Sequence, residues 1–117
     1  MKDEKILQFE MMSEEELENV AGGTCAETAN DSRFLNVLLQ GTGYHRCDRY
    51  GEFKIFFSYP AQTDVKDSWR SLGIKFSFDA FSGNKYFDDG KEISQKEAWA
   101  YAEKTVGKHL TEEQWNW

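Results

Sequence analysis

The sequence predicts an α+β fold: an N-terminal leader helix, then a small domain of one helix, an antiparallel meander of about three strands and a C-terminal helix. Three patterns support this prediction. Apolar residues recur at helical spacing before the pair Gly22-Gly23. Apolar and polar residues alternate over residues 71–79, as in a strand with one solvated face. Ser94 and Glu97 form a capping box before a second helical pattern.

The distribution of charge divides the chain near Gly23. Residues 1–23 contain seven acidic residues and two lysines, a net charge of −5. Residues 24–117 contain fourteen acidic and twelve basic residues, a net charge of −2. This asymmetry indicates two parts, a leader at 1–23 and a cargo domain at 24–117, which is long enough for a modest core.

Residues 5–20 are predicted to form one amphipathic helix, or two helical turns interrupted near Ser13. The Ser13 hydroxyl can cap free backbone N–H groups, and the three glutamates that follow it suit the positive end of the helix dipole. At about 100° per residue, five apolar side chains fall within an arc of roughly 140°. They are Ile6, Phe9, Met12, Leu17 and Val20.

Gly22 and Gly23 are predicted to end this helix. Because neither residue has a Cβ atom, the pair can also enter a narrow cleft in an extended conformation. An apolar stripe beside such a pair suits a protease substrate in which the stripe docks and the pair is cut. The alternative is an ordinary amphipathic helix that ends at a glycine cap.

This segment resembles the double-glycine leader of bacterial peptides that are exported by peptidase-containing ABC transporters. The resemblance covers residues 1–23 only. The motif reads Met12-Ser13-x-x-Glu16-Leu17-x-x-Val20-x-Gly22-Gly23, with Phe9 upstream, with Met where Leu is commoner and Val where Ile is common. The resemblance implies cleavage after Gly23 and recognition by the peptidase domain of the exporter. The recognition residues would be Phe9, Met12, Glu16, Leu17 and Val20.

The resemblance implies the precursor of a secreted bacteriocin-like or signalling protein, cytoplasmic before cleavage and secreted after leader removal. Typical members are short, cationic and glycine-rich, whereas this cargo is long, mildly acidic and patterned to fold. A secreted protein that binds an extracellular target is therefore expected at least as strongly as an antimicrobial pore former. The alternative is an intracellular binding or adaptor domain whose N-terminal docking helix is never cut. An enzyme is not expected, because no convergent set of polar residues is visible.

The composition argues against a transmembrane segment, a general secretory signal and nucleic acid as a partner. No run of about 18 apolar residues is present, so no transmembrane segment is expected. No basic start precedes an apolar core, as a general secretory signal would require. The acidic chain also argues against nucleic acid, because binding to phosphates needs a basic surface.

Within the cargo, residues 33–40 are predicted to form a helix capped by Asp31 or Ser32. Its apolar surface is nearly continuous, which favours burial in the core over insertion into a membrane that it is too short to span. Residues 52–59 are predicted to be the first strand and residues 61–68 a loop.

The remaining strands are expected at residues 71–79 and 85–87, followed by a turn at residues 88–91. The C-terminal helix is expected over residues 95–106, with Ala98, Trp99, Ala102, Thr105 and Val106 facing inward and Gly107 as its stop. Thr111 can start a last helical turn.

The two cysteines, Cys25 and Cys47, are predicted to form a disulfide after export. Such a bond would contribute roughly 3 kcal/mol and would tie the new N-terminus to the core. The alternative is two unpaired thiols. For a metal, His45 and Cys47 offer two ligands at best, and only His109 and Cys25 remain to complete a tetrahedral set. A cysteine with one of these histidines is only a formal nucleophile–base pair, so we expect no metal, cofactor or catalytic residue.

Aromatic residues are abundant, with nine Phe, five Tyr and four Trp. Some could line a face for a ligand or partner, but the simpler interpretation is that most fill a small core in place of aliphatic side chains. The candidates for a binding face are Tyr50, Phe56, Tyr59, Trp69 and Tyr86.

Overall fold

The computed structural model describes the backbone of residues 14–117 and the side chains of residues 23–117. The predicted α+β class is confirmed, since helices pack with a three-stranded antiparallel sheet. No helix in this part of the chain combines the length and the apolarity that crossing a bilayer would need. The elements in order are α1 (Glu14–Leu38), α2 (Glu52–Phe57), α3 (Tyr59–Ser71), β1 (Ile74–Ser77), β2 (Lys85–Asp88), β3 (Lys91–Ile93), α4 (Gln95–Val106) and α5 (Glu112–Trp115).

Helix α1 is the central element of the core. The helix predicted at residues 33–40 overlaps the end of α1, which stops at Leu38, two residues earlier than predicted. The expected burial is confirmed for Phe34, Leu35, Leu38 and Leu39. Its predicted start is wrong, because Asp31 and Ser32 lie inside the helix and are fully buried rather than acting as caps. Packing on both sides of this pair outweighs their preference for a helix end.

The strand predicted at residues 52–59 is wrong, and so is the loop predicted at residues 61–68. These segments form α2 and α3, separated by Ser58. The Ser58 hydroxyl accepts a hydrogen bond from the Ala61 N–H, and Pro60 lies in the first turn of α3, where it is well tolerated. Four residues at helical spacing then bury one face of α3: Ala61, Val65, Ser68 and Trp69.

The sheet has the order β1-β2-β3, and Tyr86 in its central strand faces Phe76 on one side and Ile93 on the other. The strands predicted at 71–79 and 85–87 are confirmed, and the turn that follows them is confirmed by positive φ angles at Asp89 and Gly90. Strand β3 was not predicted. Three strands are therefore present, but the third lies after the turn instead of before Pro60.

The C-terminal helix α4 is confirmed in position and in both ends. Ser94 and Glu97 form the complete capping box, and Gly107 ends the helix with φ 72°. Ala98 and Ala102 are buried as expected, whereas Thr105 is exposed and does not face inward. The predicted last turn is confirmed as α5, whose Trp115 is buried.

The core is rich in aromatic rings. Trp69 and Tyr86 meet edge to face at 5.5 Å, so these two candidates for a binding face belong to the core. Tyr50 and Phe56 are half-buried, and only Tyr59 is largely exposed. The core interpretation is thus correct for two of the five aromatic candidates.

Candidate functional site: the junction between leader and cargo

The predicted cleavage site lies inside α1, which continues through Gly22 and Gly23 without a break. The prediction that these glycines end a helix is therefore wrong. Each glycine weakens a helix by about 1 kcal/mol, but helix-favouring glutamates precede the pair and a buried face follows it. Of the predicted recognition residues, Phe9 and Met12 lie outside the described residues. The other three lie on the described backbone of α1: Glu16, Leu17 and Val20.

The core begins two residues after the predicted cut. Gly23 is exposed and a Cβ atom added to it would meet nothing within 4 Å, whereas Cys25 is fully buried. The Asn84 side-chain amide, from the segment before β2, donates to the Thr24 carbonyl at 3.3 Å and to the Thr28 hydroxyl at 2.7 Å. The first turn after Gly23 is therefore fixed to the sheet side of the domain.

The predicted disulfide between Cys25 and Cys47 is wrong. Both cysteines are free and fully buried. Burial, together with the negative charge of Glu52, raises the pKa of the Cys25 thiol to about 12, and burial raises the pKa of the Cys47 thiol to about 12 as well. The Cys47 thiol donates to the Ser32 carbonyl at 3.6 Å. These protonated thiols act as small core residues rather than as nucleophiles or a cross-link.

A buried polar network around Asp31, six residues after Cys25 in α1, was not predicted. The Asp31 carboxylate is fully buried and accepts hydrogen bonds from three side chains of the sheet and α4. Tyr86 Oη donates to Oδ2 at 2.5 Å, and Gln95 Nε2 and Trp99 Nε1 donate to Oδ1 at 2.9 and 2.7 Å. Trp69 Nε1 is buried without a hydrogen bond but lies close enough to favour the charged carboxylate.

Asp31 carries an uncompensated charge when it is ionised. Burial raises its pKa to about 6, and the hydrogen bonds from Tyr86, Gln95 and Trp99 only partly oppose that effect. Its acidic neighbour Glu27 also has a raised pKa because of burial. No ion pair in the described part of the chain involves Asp31. The spacing of Asp31 with Thr28 and Leu35 on one helix face was the signal in the sequence that could have placed it inside.

A second polar cluster fixes residues 45–50 onto α3. His45 Nε2 lies 2.7 Å from Asp64 Oδ1, Tyr50 Oη donates to Oδ2 at 2.7 Å, and the Asp48 N–H donates to the same oxygen at 2.9 Å. Burial alone would raise the pKa of Asp64, but these hydrogen bonds together lower it. The cluster holds a His–Asp pair without an activated nucleophile, because the nearby Cys47 thiol is buried and protonated.

The histidine and cysteine ligands considered from the sequence do not come together as a set. His45 pairs with Asp64. His109 follows the end of α4, and its Nδ1 atom lies 2.9 Å from the Glu103 carboxylate in that helix. Among residues 23–117, whose side chains the structure describes, no group of three or more Asp, Glu, His or Cys side chains could hold a metal ion.

The surface of the described residues includes grooves with aromatic or basic linings, two of which are described below. One groove has a volume of about 380 Å³ and is lined by Phe34, Trp99 and Trp115. The Trp99 ring stacks on Phe34 with 4.0 Å between the ring centroids and meets the Trp115 ring edge to face. The other, of about 210 Å³, lies between α3 and β1 and contains Lys66 and Lys75. Neither groove contains the Asp64 cluster.

Comparison with known proteins adds no relative to this description. No family model, curated protein or solved structure matches the chain. The leader motif and the geometry of the junction that follows it are therefore the features that bear on function.

Proposed function

We propose that the chain is the precursor of an exported protein, cut after Gly23 by the peptidase domain of an ABC exporter. Residues 24–117 would then be the mature domain, with an extracellular target. The observation that carries the proposal is the change of environment at the motif: Gly23 is exposed, and Cys25 is fully buried. A cut at this point would leave the buried face of α1 from Cys25 to Leu38 with the cargo.

The helical conformation of the junction adds one requirement. A peptidase cleft that admits only an extended glycine pair needs α1 to unwind locally at Gly22 and Gly23. The two glycines make this segment the weakest part of the helix backbone, since each lowers helix stability by about 1 kcal/mol relative to alanine. Unwinding can stop before Cys25, where burial and the hydrogen bond from Asn84 to the Thr24 carbonyl hold the helix.

The proposal is tested by incubating the purified chain with the peptidase domain of a double-glycine exporter and measuring intact mass. We expect loss of residues 1–23 and a product that begins at Thr24. Gly22→Val and Leu17→Ala should abolish the cut. The matched control is Gly43→Val, because Gly43 is also exposed and a Cβ atom there meets nothing within 4 Å.

The second candidate is an intracellular adaptor that uses an uncut N-terminal helix for docking. The unbroken path of α1 from Glu14 to Leu38 favours it, because a continuous helix can present one face to a partner. The two functions differ in the same experiment. A chain that stays whole with a cognate peptidase would contradict the precursor and leave the adaptor as the better account.

A further inference from the structure

Four phenylalanines form a continuous aromatic surface, here called the Phe patch: Phe53, Phe56, Phe57 and Phe81. Phe57 stacks on Phe53 at 5.5 Å and meets the edge of Phe56 at 4.8 Å. Phe56 in turn meets Phe81, from the turn after β1, edge to face at 6.0 Å. Phe81 is 60% exposed, and the three rings of α2 are half-buried. A contiguous apolar surface of this kind is typical of an interaction site.

The Phe patch lies close to the point where the leader joins the cargo. Helix α2 packs against α1. The first residue of α2, Glu52, is near enough to Cys25 for its charge to act on that thiol. Because Cys25 is two residues from Gly23, the patch and the predicted cleavage site belong to the same end of the domain.

The length of the leader allows it to return to this surface. From Cys25 back to Glu14, α1 covers eleven residues, about 16 Å at 1.5 Å per residue. In the helical conformation that gives them an apolar stripe, the thirteen residues before Glu14 span about 20 Å, which exceeds that distance. Their apolar stripe, with Ile6, Phe9 and Met12, is complementary to an aromatic surface.

We propose that in the precursor the Phe patch binds the apolar stripe of residues 1–13, so that the folded cargo covers residues that the peptidase must recognise. This inference rests on the proposed function and adds a regulatory step to it. Unfolding of the cargo dismantles the patch, since Ile55 anchors α2 in the core. Release of the leader is then coupled to unfolding, and the peptidase acts preferentially on chains that a narrow channel can thread.

The test compares cleavage rates in one reaction. The full chain and a synthetic peptide of residues 1–30 are mixed with the peptidase domain, and both products are followed by intact mass. If about one chain in ten has its leader free, the full chain is cut about tenfold more slowly than the peptide. The double variant Phe57→Ser/Phe81→Ser should recover most of that difference.

Two control variants separate docking from other effects. Trp117→Ser also removes a largely exposed aromatic ring, but that ring packs on Arg49 outside the patch, so the cleavage rate should not change. Ile55→Val weakens the core without removing a patch ring. Ile55→Val and the patch variant are compared at an equal loss in the free energy of unfolding. If both raise the cleavage rate equally, unfolding alone explains the increase, and docking of the leader on the patch is overturned.

The outcomes distinguish this inference from the proposed function. If the peptide is cut and the full chain is cut equally fast with or without the patch, the inference fails and the precursor function stands. If the peptide itself stays whole, the precursor function fails, and the regulatory inference fails with it.

A second measurement does not depend on the peptidase. The variant Phe9→Cys/Phe81→Cys is oxidised as the folded full chain, while the native thiols of Cys25 and Cys47 are buried. We expect an intramolecular disulfide, seen as the loss of two hydrogen masses, and none in the control Phe9→Cys/Trp117→Cys. Equal cross-linking in both variants, or none in either, would overturn the contact.

Discussion

Asp31 and Asp64 occupy similar hydrogen-bonding environments but respond to them in opposite ways. Each is close to three polar groups, one of them a tyrosine hydroxyl. Asp31 is fully buried and its pKa is raised to about 6, whereas the side chain of Asp64 is 21% exposed and its pKa is lowered. Burial, rather than the number of hydrogen bonds, therefore decides the direction in which the pKa of each carboxyl group is shifted.

The two clusters also have different structural roles. The network of Asp31 joins three elements that lie far apart in sequence: α1, β2 through Tyr86, and α4 through Gln95 and Trp99. The cluster of Asp64 joins only α3 to residues 45–50. Loss of Asp31 should therefore affect the whole domain, while loss of Asp64 should affect one connection.

The largest effect is expected for Asp31→Ala at pH 5, where the carboxyl group of Asp31 is mostly protonated. The substitution leaves three donors without their acceptor and removes buried atoms, which together should lower the free energy of unfolding by about 4 kcal/mol. Urea denaturation measures it. The control is Asp67→Ala in α3, which removes only an exposed ion pair with Arg70 and should cost less than about 0.5 kcal/mol. Equal losses would contradict the contrast between buried and exposed carboxylates.

The next effect is the pH dependence caused by Asp31. Because its folded pKa of about 6 lies above the usual 3.8, the folded state binds more protons than the unfolded state between these values. The contribution of Asp31 to the free energy of unfolding is therefore highest below about pH 4. It falls by up to roughly 3 kcal/mol as the pH rises to 7. The same titration of Asp31→Asn should lack this decrease. An identical slope in both proteins would show that another group is responsible.

A smaller effect of opposite sign is expected for Asp64. Its folded pKa is lowered, so its contribution is present above its unfolded pKa and is lost as the pH falls through the folded value. Asp64→Asn should cost about 1 kcal/mol at pH 7, since the cluster is partly exposed to solvent. Thermal unfolding of Asp64→Asn, with Asp67→Asn as the control, measures this loss of stability. A loss as large as that of Asp31→Ala would remove the proposed distinction.

The smallest expected effect concerns the thiols. Because Cys25 and Cys47 are free and buried, a reducing agent should leave the free energy of unfolding unchanged. A thiol reagent should modify neither cysteine in the folded chain and both in urea. A decrease in stability on reduction would indicate a cross-link that the structure lacks.

Local sequence signals predicted the elements whose ends depend on a few neighbouring residues. Helix α4 was located because the capping box at Ser94 and the stop at Gly107 are encoded within one turn of its ends. Strand β1 was located because Ile74 and Phe76 alternate with exposed residues. The α+β class follows from these two elements alone.

Contacts distant in sequence explain most of the errors. Aspartate is a residue type that favours helix caps, and the contacts that hold Asp31 inside the helix come from Tyr86, Gln95 and Trp99, at least 55 residues later. In α2, Phe53, Ile55 and Phe57 fit a period of two, but Phe56 breaks the alternation and the Ser58 cap marks a new helix. The Phe patch could not be predicted, because Phe81 reaches it across the turn after β1.

The buried charge of Asp31 also bears on the proposed export. A domain that is to be threaded through a narrow channel benefits from modest stability at neutral pH, and an ionised buried carboxylate without a cation lowers stability there. For the proposed precursor we expect a free energy of unfolding below about 8 kcal/mol at neutral pH, in the lower part of the usual range.

The central claim is that cells export residues 24–117 after removing residues 1–23. The most direct measurement is the intact mass of the protein released by cells that express the chain with a cognate peptidase-containing ABC exporter. The account predicts a secreted product that begins at Thr24, with both thiols reduced, and no release when the exporter's peptidase is inactivated. Retention of the whole chain inside cells that carry the active exporter would contradict the account, and so would release with residues 1–23 attached.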